Sequence, residues 1–175
     1  MKRWAALLRG VNLGGRKLVM TDLKRICEDL GFVDVKTLLA SGNVVFAAQG
    51  EASAIESRLE KALGDHGLKT DVLARDRAEL AEVIAANPFP DAAREHPNHL
   101  LVHFHRDPVP DGLIGKLPDI YDGPERLQAI GRELYIDYPD DVGHSKLPQA
   151  MAKLKFPKLA TARNWNTVGK LLDLL

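Results

Sequence analysis

The chain has 175 residues, enough to bury a sizeable core as one domain or as two small subdomains. Hydrophobic residues make up 45% and charged ones 27%, ordinary proportions for a soluble globular protein, and no apolar run approaches the length of a membrane helix. Arg9 interrupts the opening apolar run before it can serve as a signal peptide, and a single cysteine, Cys27, rules out an internal disulfide framework, so a cytoplasmic protein is expected.

The formal net charge of zero hides a segregation. Residues 1–26 carry a net +6 and residues 144–170 another +6, while residues 27–143 carry −11. Such a distribution is either a set of solvated faces or two basic ends that attract an anion. It is not a uniformly basic nucleic-acid coat.

In chain order, Arg3 to Arg9 reads as a strand that runs into Gly10-Val11-Asn12-Leu13-Gly14-Gly15-Arg16-Lys17. Glycines there let a ligand approach the backbone, and exposed amides beside cations hold phosphates. A helix is expected from an N-cap at Thr21 to Gly31, followed by two strands around the turn Ser41-Gly42-Asn43. Ser53 and Glu56 form the pattern of a capping box, with Ile55, Leu59, Ala62 and Leu63 on one helix face and Gly67 at its end. Lys69 to Ala74 is a further strand. Asp76 and Glu79 cap the next helix, which turns Leu80, Val83 and Ile84 inward until Asn87-Pro88-Phe89-Pro90 stops it and opens a linker.

The second half repeats this order. Asn98 to His105 alternates Leu100, Val102 and Phe104 against His99, His103 and His105. A short helix over Pro110–Leu117 precedes strands at Leu127–Ile130 and Glu133–Tyr138, joined by Gly131-Arg132. A helix over Lys146–Leu154, a strand at Lys158–Ala162 and a closing helix over Thr167–Leu174 complete the chain. The fold expected is α+β: duplicated ferredoxin-like β-α-β-β-α-β units with antiparallel sheets, plus linking and C-terminal helices. Residues 1–75 would form the first subdomain, 76–97 a helix and linker, and 98–175 the second subdomain with the C-terminal helix. In each unit the first two strands would run parallel, which sets the glycine loop and the Ser41-Gly42-Asn43 turn at one end of a sheet.

Four ordered motifs carry a resemblance. They are Arg9-Gly10-x-Asn12-x-Gly14-Gly15 with Met20-x-Asp22-Leu23, then Ser41-Gly42-Asn43-Val44-Val45-Phe46, then Ser145-Lys146-Leu147, then Thr161-x-Arg163-Asn164-Trp165-Asn166-Thr167. With them the chain resembles the bacterial family called domain of unknown function 1697, along essentially its whole length. That resemblance implies a fold and a set of residues, but no reaction.

The glycine loop has the interval of a Walker pattern, yet Arg16 stands where lysine must follow and no serine or threonine comes after it to hold magnesium. It reads as an anion or backbone contact, or as a structural turn held by Asn12. Arg163 offers an exposed planar fork suited to phosphate or carboxylate, with Asn164 and Thr167 available either to a ligand or as helix caps. Trp165 suits core packing or base stacking. His99, His103 and His105 with Asp107 could be weighed as metal ligands, but a solvated face or packing on the other half accounts for them, and no metal or cofactor is expected. Cys27 lies on a helix face with Leu23, Ile26 and Leu30, as a core thiol would.

The function expected is binding of a phosphate-bearing ligand, a nucleotide or a nucleic-acid end, at a basic, glycine-rich site between the two halves. Arg9, Asn12, Gly14, Gly15, Lys17, Ser41 and Asn43 would line it from the first half, and Ser145, Lys146, Arg163, Asn164 and Thr167 from the second. Two alternatives stand beside it: an enzyme of phosphoryl, nucleotidyl or hydrolytic chemistry, and a protein-interaction module without a small ligand. No carboxylate pair, cysteine or histidine is plainly placed as a base or nucleophile, no membrane partner is implied, and the oligomeric state is not specified by these patterns.

Overall fold

The computed structural model describes residues 1–10, 18–38 and 42–175. Its architecture is α+β, with two four-stranded antiparallel sheets and seven α-helices among the described residues. The chain divides into two compact units, residues 1–82 with 170–175, and residues 83–169.

The first unit runs β1 (Lys2–Leu8), α1 (Met20–Asp29), β2 (Val33–Leu38), β3 (Asn43–Ala48), α2 (Ala52–Asp65) and β4 (Val72–Asp76), then enters α3 (Arg77–Ala85). Its sheet has the order β2-β3-β1-β4. Because β1 and β2 both run antiparallel to β3, they run parallel to each other, and the ends of both strands meet at one end of the sheet. The Leu8 N–H accordingly donates to Gly42 O at 2.9 Å. Strand alternation puts Trp4, Ala6, Leu8, Val44, Phe46 and Ala48 into one core with Leu23, Ile26 and Cys27 of α1 and Ile55, Leu59 and Leu63 of α2. Each such fully buried large side chain stabilises the fold by about 1.5–3 kcal/mol.

Two helix starts of the first unit differ from expectation. α1 begins at Met20, one residue before Thr21, behind an extended Val19 that makes no side-chain cap; Gly31 ends it with φ +84° as expected. Ser53 and Glu56 do not form a capping box, since α2 starts behind Glu51 with no side-chain cap. Glu56 is buried, and its Oε1 accepts the Ala74 N–H at 3.0 Å, while Glu60 Oε1 accepts the Val72 N–H at 3.0 Å. The reason lies in tertiary structure: β4 is an edge strand, and its outward N–H groups need acceptors. The box at α3 does form, with Glu79 N–H donating to Asp76 Oδ1 at 2.8 Å and Asp76 N–H donating to Glu79 Oε2 at 2.9 Å.

The second unit contains α4 (Pro90–Glu95), a short helix within the stretch expected to be linker, and a 3-10 turn at Pro97–His99. There follow β5 (Leu100–His105), α5 (Leu113–Lys116), β6 (Arg126–Ile130), β7 (Glu133–Asp137), α6 (Leu147–Lys153), β8 (Ala160–Asn164) and α7 (Trp165–Leu174), whose residues from Lys170 on are counted with the first unit. The sheet order is β6-β7-β5-β8, the same pattern as in the first unit. Gly131 turns the β6–β7 hairpin with φ +60°. One face of this sheet packs Leu134, Ile136 and Tyr138 against Leu147, Ala150 and Phe156.

The histidines are not a solvated strand face. His99 lies in the 3-10 turn before β5, His105 is buried, and His103 sits opposite Leu134 in the register, on the core side. Burial pushes the His103 imidazole pKa down to about 4, with the neighbouring His105 adding to the effect. No group of three or more His, Cys, Asp or Glu side chains among the described residues could hold a metal ion. Nor is any described helix long and apolar enough to cross a membrane.

Candidate functional site

In the first unit, β1 delivers Arg9 and Gly10 to the start of the glycine loop. The segment before β4 ties that point down: Arg9 N–H donates to Asp71 O at 3.0 Å, and the Thr70 hydroxyl donates to Arg9 O. Arg9 Nη1 also meets Asp71 Oδ2 at 3.2 Å, with both side chains about two-fifths exposed. Around them Arg9, Gly10, Lys69, Thr70 and Asp71 line a hollow of about 430 Å³. Gly10 has φ +65°, a conformation that favours glycine. Asn12, Gly14, Gly15, Lys17 and Ser41 lie outside the described residues.

Asn43 does not face solvent at the turn. It is fully buried at the start of β3, and its Nδ2 donates to Leu38 O across the β2–β3 hairpin at 2.9 Å. Gly42 supplies the positive φ, +79°, that the turn requires.

Ser145 and Lys146 lie in the second unit, on a hollow of about 350 Å³ that the sequence did not disclose. Glu125 is its centre. The Tyr121 hydroxyl donates to both Glu125 oxygens at 2.9 and 2.8 Å, and the Ser145 hydroxyl donates to Oε1. Ser145 Oγ in turn accepts the Leu147 N–H at 3.1 Å, so it also starts α6. Gly123 packs so closely that a Cβ there would strike the Tyr121 hydroxyl and the Glu125 carboxylate. Tyr138 is buried, with its phenol pKa pushed up to about 12, first by burial and then by the charge of Glu125. At the rim Asp141 pairs with His144, which lowers the carboxyl pKa and raises the imidazole pKa.

The charge of this hollow differs from what Ser145-Lys146 suggested. Asp122, Glu125, Asp140 and Asp141 face Lys146 and His144, so the lining is acidic overall.

Arg163 is a correction. Expected as an exposed fork, it is 8% exposed, and its Nη1 donates to Thr161 Oγ1 at 2.7 Å and to Ala162 O at 2.8 Å. Burial lowers its guanidinium pKa to about 10. The register explains this, since Arg163 stands opposite Val102, which is fully buried. Asn164 Oδ1 accepts the Thr167 N–H at 2.9 Å, which makes that pair the cap of α7.

Sequence reasoning also missed an ionic cluster. Asp137, 2% exposed, accepts from Arg126 Nε and Nη2 at 2.9 and 2.7 Å and contacts His96 Nε2 at 2.6 Å. Arg126 reaches Asp91 at 2.9 Å and lies 4.6 Å from the centre of the Phe89 ring. Its members come from α4, the following turn and a hairpin, so no local spacing could have grouped them. The same holds for Tyr138 beside Tyr121 and Glu125, although those two lie only four residues apart.

The model of a family described as Protein of unknown function (DUF1697) matches residues 1–135, most of the chain, and the chain belongs to that family. No curated protein matches it. Among solved structures, the conserved bacterial protein SP0830 from Streptococcus pneumoniae is 21% identical, with a TM-score of 0.76 over 99% of this chain and 98% of that one. The two share a fold.

Proposed function

We propose that this DUF1697 protein binds a phosphate-bearing ligand, a nucleotide or a nucleic-acid end, in the hollow where β1 runs into the glycine loop. The observation that carries this reading is the convergence of Arg9, Gly10, Lys69 and Thr70 on one open hollow. The Arg9–Asp71 pair is exposed, and such pairs contribute about 0–1 kcal/mol, so a phosphate can take over the guanidinium at little cost. A phosphate accepts two parallel N–H bonds from arginine, and Lys69 adds a second positive charge beside it. In sequence Arg16 and Lys17 extend the same basic character. The reading rests on the first unit alone. Neither the buried Arg163 nor the acidic surroundings of Lys146 support a phosphate. It takes the protein to work in the cytoplasm, where a lone buried thiol such as Cys27 stays reduced.

The same reading takes the two units as duplicated ferredoxin-like copies. Support comes from their common strand order and from paired details. Arg75 and Arg163 are both buried, stand opposite Ala5 and Val102 in the two sheets, and precede the capping residues Asp76 and Asn164.

Isothermal titration with nucleotides, sugar phosphates and 5′-phosphorylated oligonucleotides tests the binding. One class should bind with an affinity that falls as salt rises, and Arg9→Ala and Lys69→Ala should each weaken it roughly tenfold. Binding that ignores both substitutions, or none from any class, would overturn the reading.

A further inference from the structure

We infer that the open edge of β8 docks an extended, acidic peptide segment of a partner protein by strand addition. The observation that carries this is a difference between the two units. β4 and β8 hold the same place, last in their sheets beside β1 and β5. In the first unit α2 packs along β4, and Glu60 and Glu56 accept its outward Val72 and Ala74 N–H groups at 3.0 Å. In the second unit no helix packs along β8 in that way among the described residues. Nor do the flanking segments offer a carboxylate, since residues 144–170 contain no Asp or Glu.

The register shows which backbone groups are on offer. Tyr138 N–H donates to His99 O and His105 N–H to Arg132 O, both at 2.9 Å, so the odd-numbered residues of β5 bond β7. Val102 and Phe104 therefore bond β8 through Arg163 and Thr161, which turns the backbone of Ala160 and Ala162 outward. Ala160 N–H folds back on Lys158 O at 2.9 Å, but Ala162 N–H has no acceptor among the described residues. Ala162 O accepts Arg163 Nη1 at 2.8 Å and keeps a second lone pair. Both alanines are half-buried, with side chains too small to hold an incoming strand away. An edge of this kind takes a further strand through main-chain hydrogen bonds.

Charge chooses the occupant. Lys153, Lys155 and Lys158 lead into β8, are exposed, and make no ion pair among the described residues. They set unneutralised positive charge at one end of the strand, so a peptide with Asp or Glu side chains is drawn to it. A second copy of the chain fits less well, because pairing β8 with β8 would bring two such basic segments together.

The test is a titration of the full chain, labelled at its backbone amides, with a blocked eight-residue peptide that alternates glutamate and threonine. A lysine–threonine peptide of the same length and an octathymidylate serve for contrast. The Ala162 amide resonance should shift in a saturable way and its exchange with solvent should slow roughly tenfold. Val72 and Ala74, already bonded to Glu60 and Glu56, should stay unmoved. Ala162→Pro removes the outward N–H without touching the bonds to β5, and should weaken binding roughly tenfold or more. Should that variant fail to fold, methylating the peptide's own backbone nitrogens should abolish its binding to the unaltered chain. Lys153→Ala together with Lys158→Ala should weaken binding roughly fivefold. Equal binding of the lysine peptide, the same shifts from the oligonucleotide, or binding untouched by the methylation or by the lysine substitutions would each overturn the proposal. So would Ala162 protection that grows with protein concentration in the absence of peptide, or no saturation up to about 10 mM peptide.

Discussion

The carboxylate of Glu56 accepts the backbone N–H of Ala74 at 3.0 Å, joining the buried side of α2 to the edge strand β4. One turn further along the helix, Glu60 does the same for Val72. Alternate N–H groups on this edge are thus satisfied by side chains in place of another strand, which also blocks pairing with a second molecule. Glu56→Ala should therefore lower stability by about 1–3 kcal/mol, the cost of leaving a buried donor unpaired, whereas Glu56→Gln, which keeps an acceptor, should lose less. Urea unfolding midpoints of the two variants measure this. Equal losses would show that the charge, not the hydrogen bond, matters.

The Arg126–Asp137 pair behaves differently because one partner is buried and the other half-exposed. Arg126→Met should cost about 2 kcal/mol, less than the 3–5 expected for a fully buried pair, by leaving the Asp137 carboxylate with His96 alone. Adding Asp137→Asn should recover part of that loss. A double-mutant cycle with no coupling between the two positions would show that the pair does not act as a unit.

His103 makes stability depend on pH in a predictable direction. Its pKa is lowered from 6.5 to about 4 in the folded protein, so between these values the unfolded chain binds more protons than the folded one. The stability tied to its neutral form is complete above pH 6.5 and is lost as pH falls toward 4, with a slope approaching about 1.4 kcal/mol per pH unit. His103→Leu should flatten that part of the curve. It should also leave neutral-pH stability unchanged or raised by about 1 kcal/mol, because His103 Nε2 is buried without a hydrogen-bond partner among the described residues. Unfolding midpoints from pH 4 to 7.5 for both proteins would expose a failure as parallel curves.

Asp71 pairs with Arg9, and under the proposed function it would compete there with a bound phosphate. Asp71→Ala should tighten phosphate binding roughly threefold and steepen its salt dependence, the opposite of Arg9→Ala. If Asp71→Ala weakens binding instead, Asp71 holds the hollow's shape and its pairing with Arg9 is part of the site.

Where the controlling forces act within a few residues, the sequence alone was sufficient. Gly31 and Gly131 end a helix and turn a hairpin because positive φ is a property of the residue itself. Asp76 and Glu79 cap α3 because their partners lie three positions away, and Leu100, Val102 and Phe104 are buried because a strand alternates. The α+β class, and the placing of the ends of β1 and β2 at one end of a sheet, were legible for the same reason. Tertiary structure decided the rest. Glu56 had the spacing of a cap and became an acceptor for a distant strand. Arg163 and Asn43 looked like exposed donors, yet one stands opposite a buried Val102 and the other turns into its own hairpin. The hollow around Glu125 draws Tyr121, Tyr138 and Ser145 from separate segments. A polar side chain has the same donors whether it faces ligand, backbone or core, so only the neighbours that packing brings to it settle which one it serves.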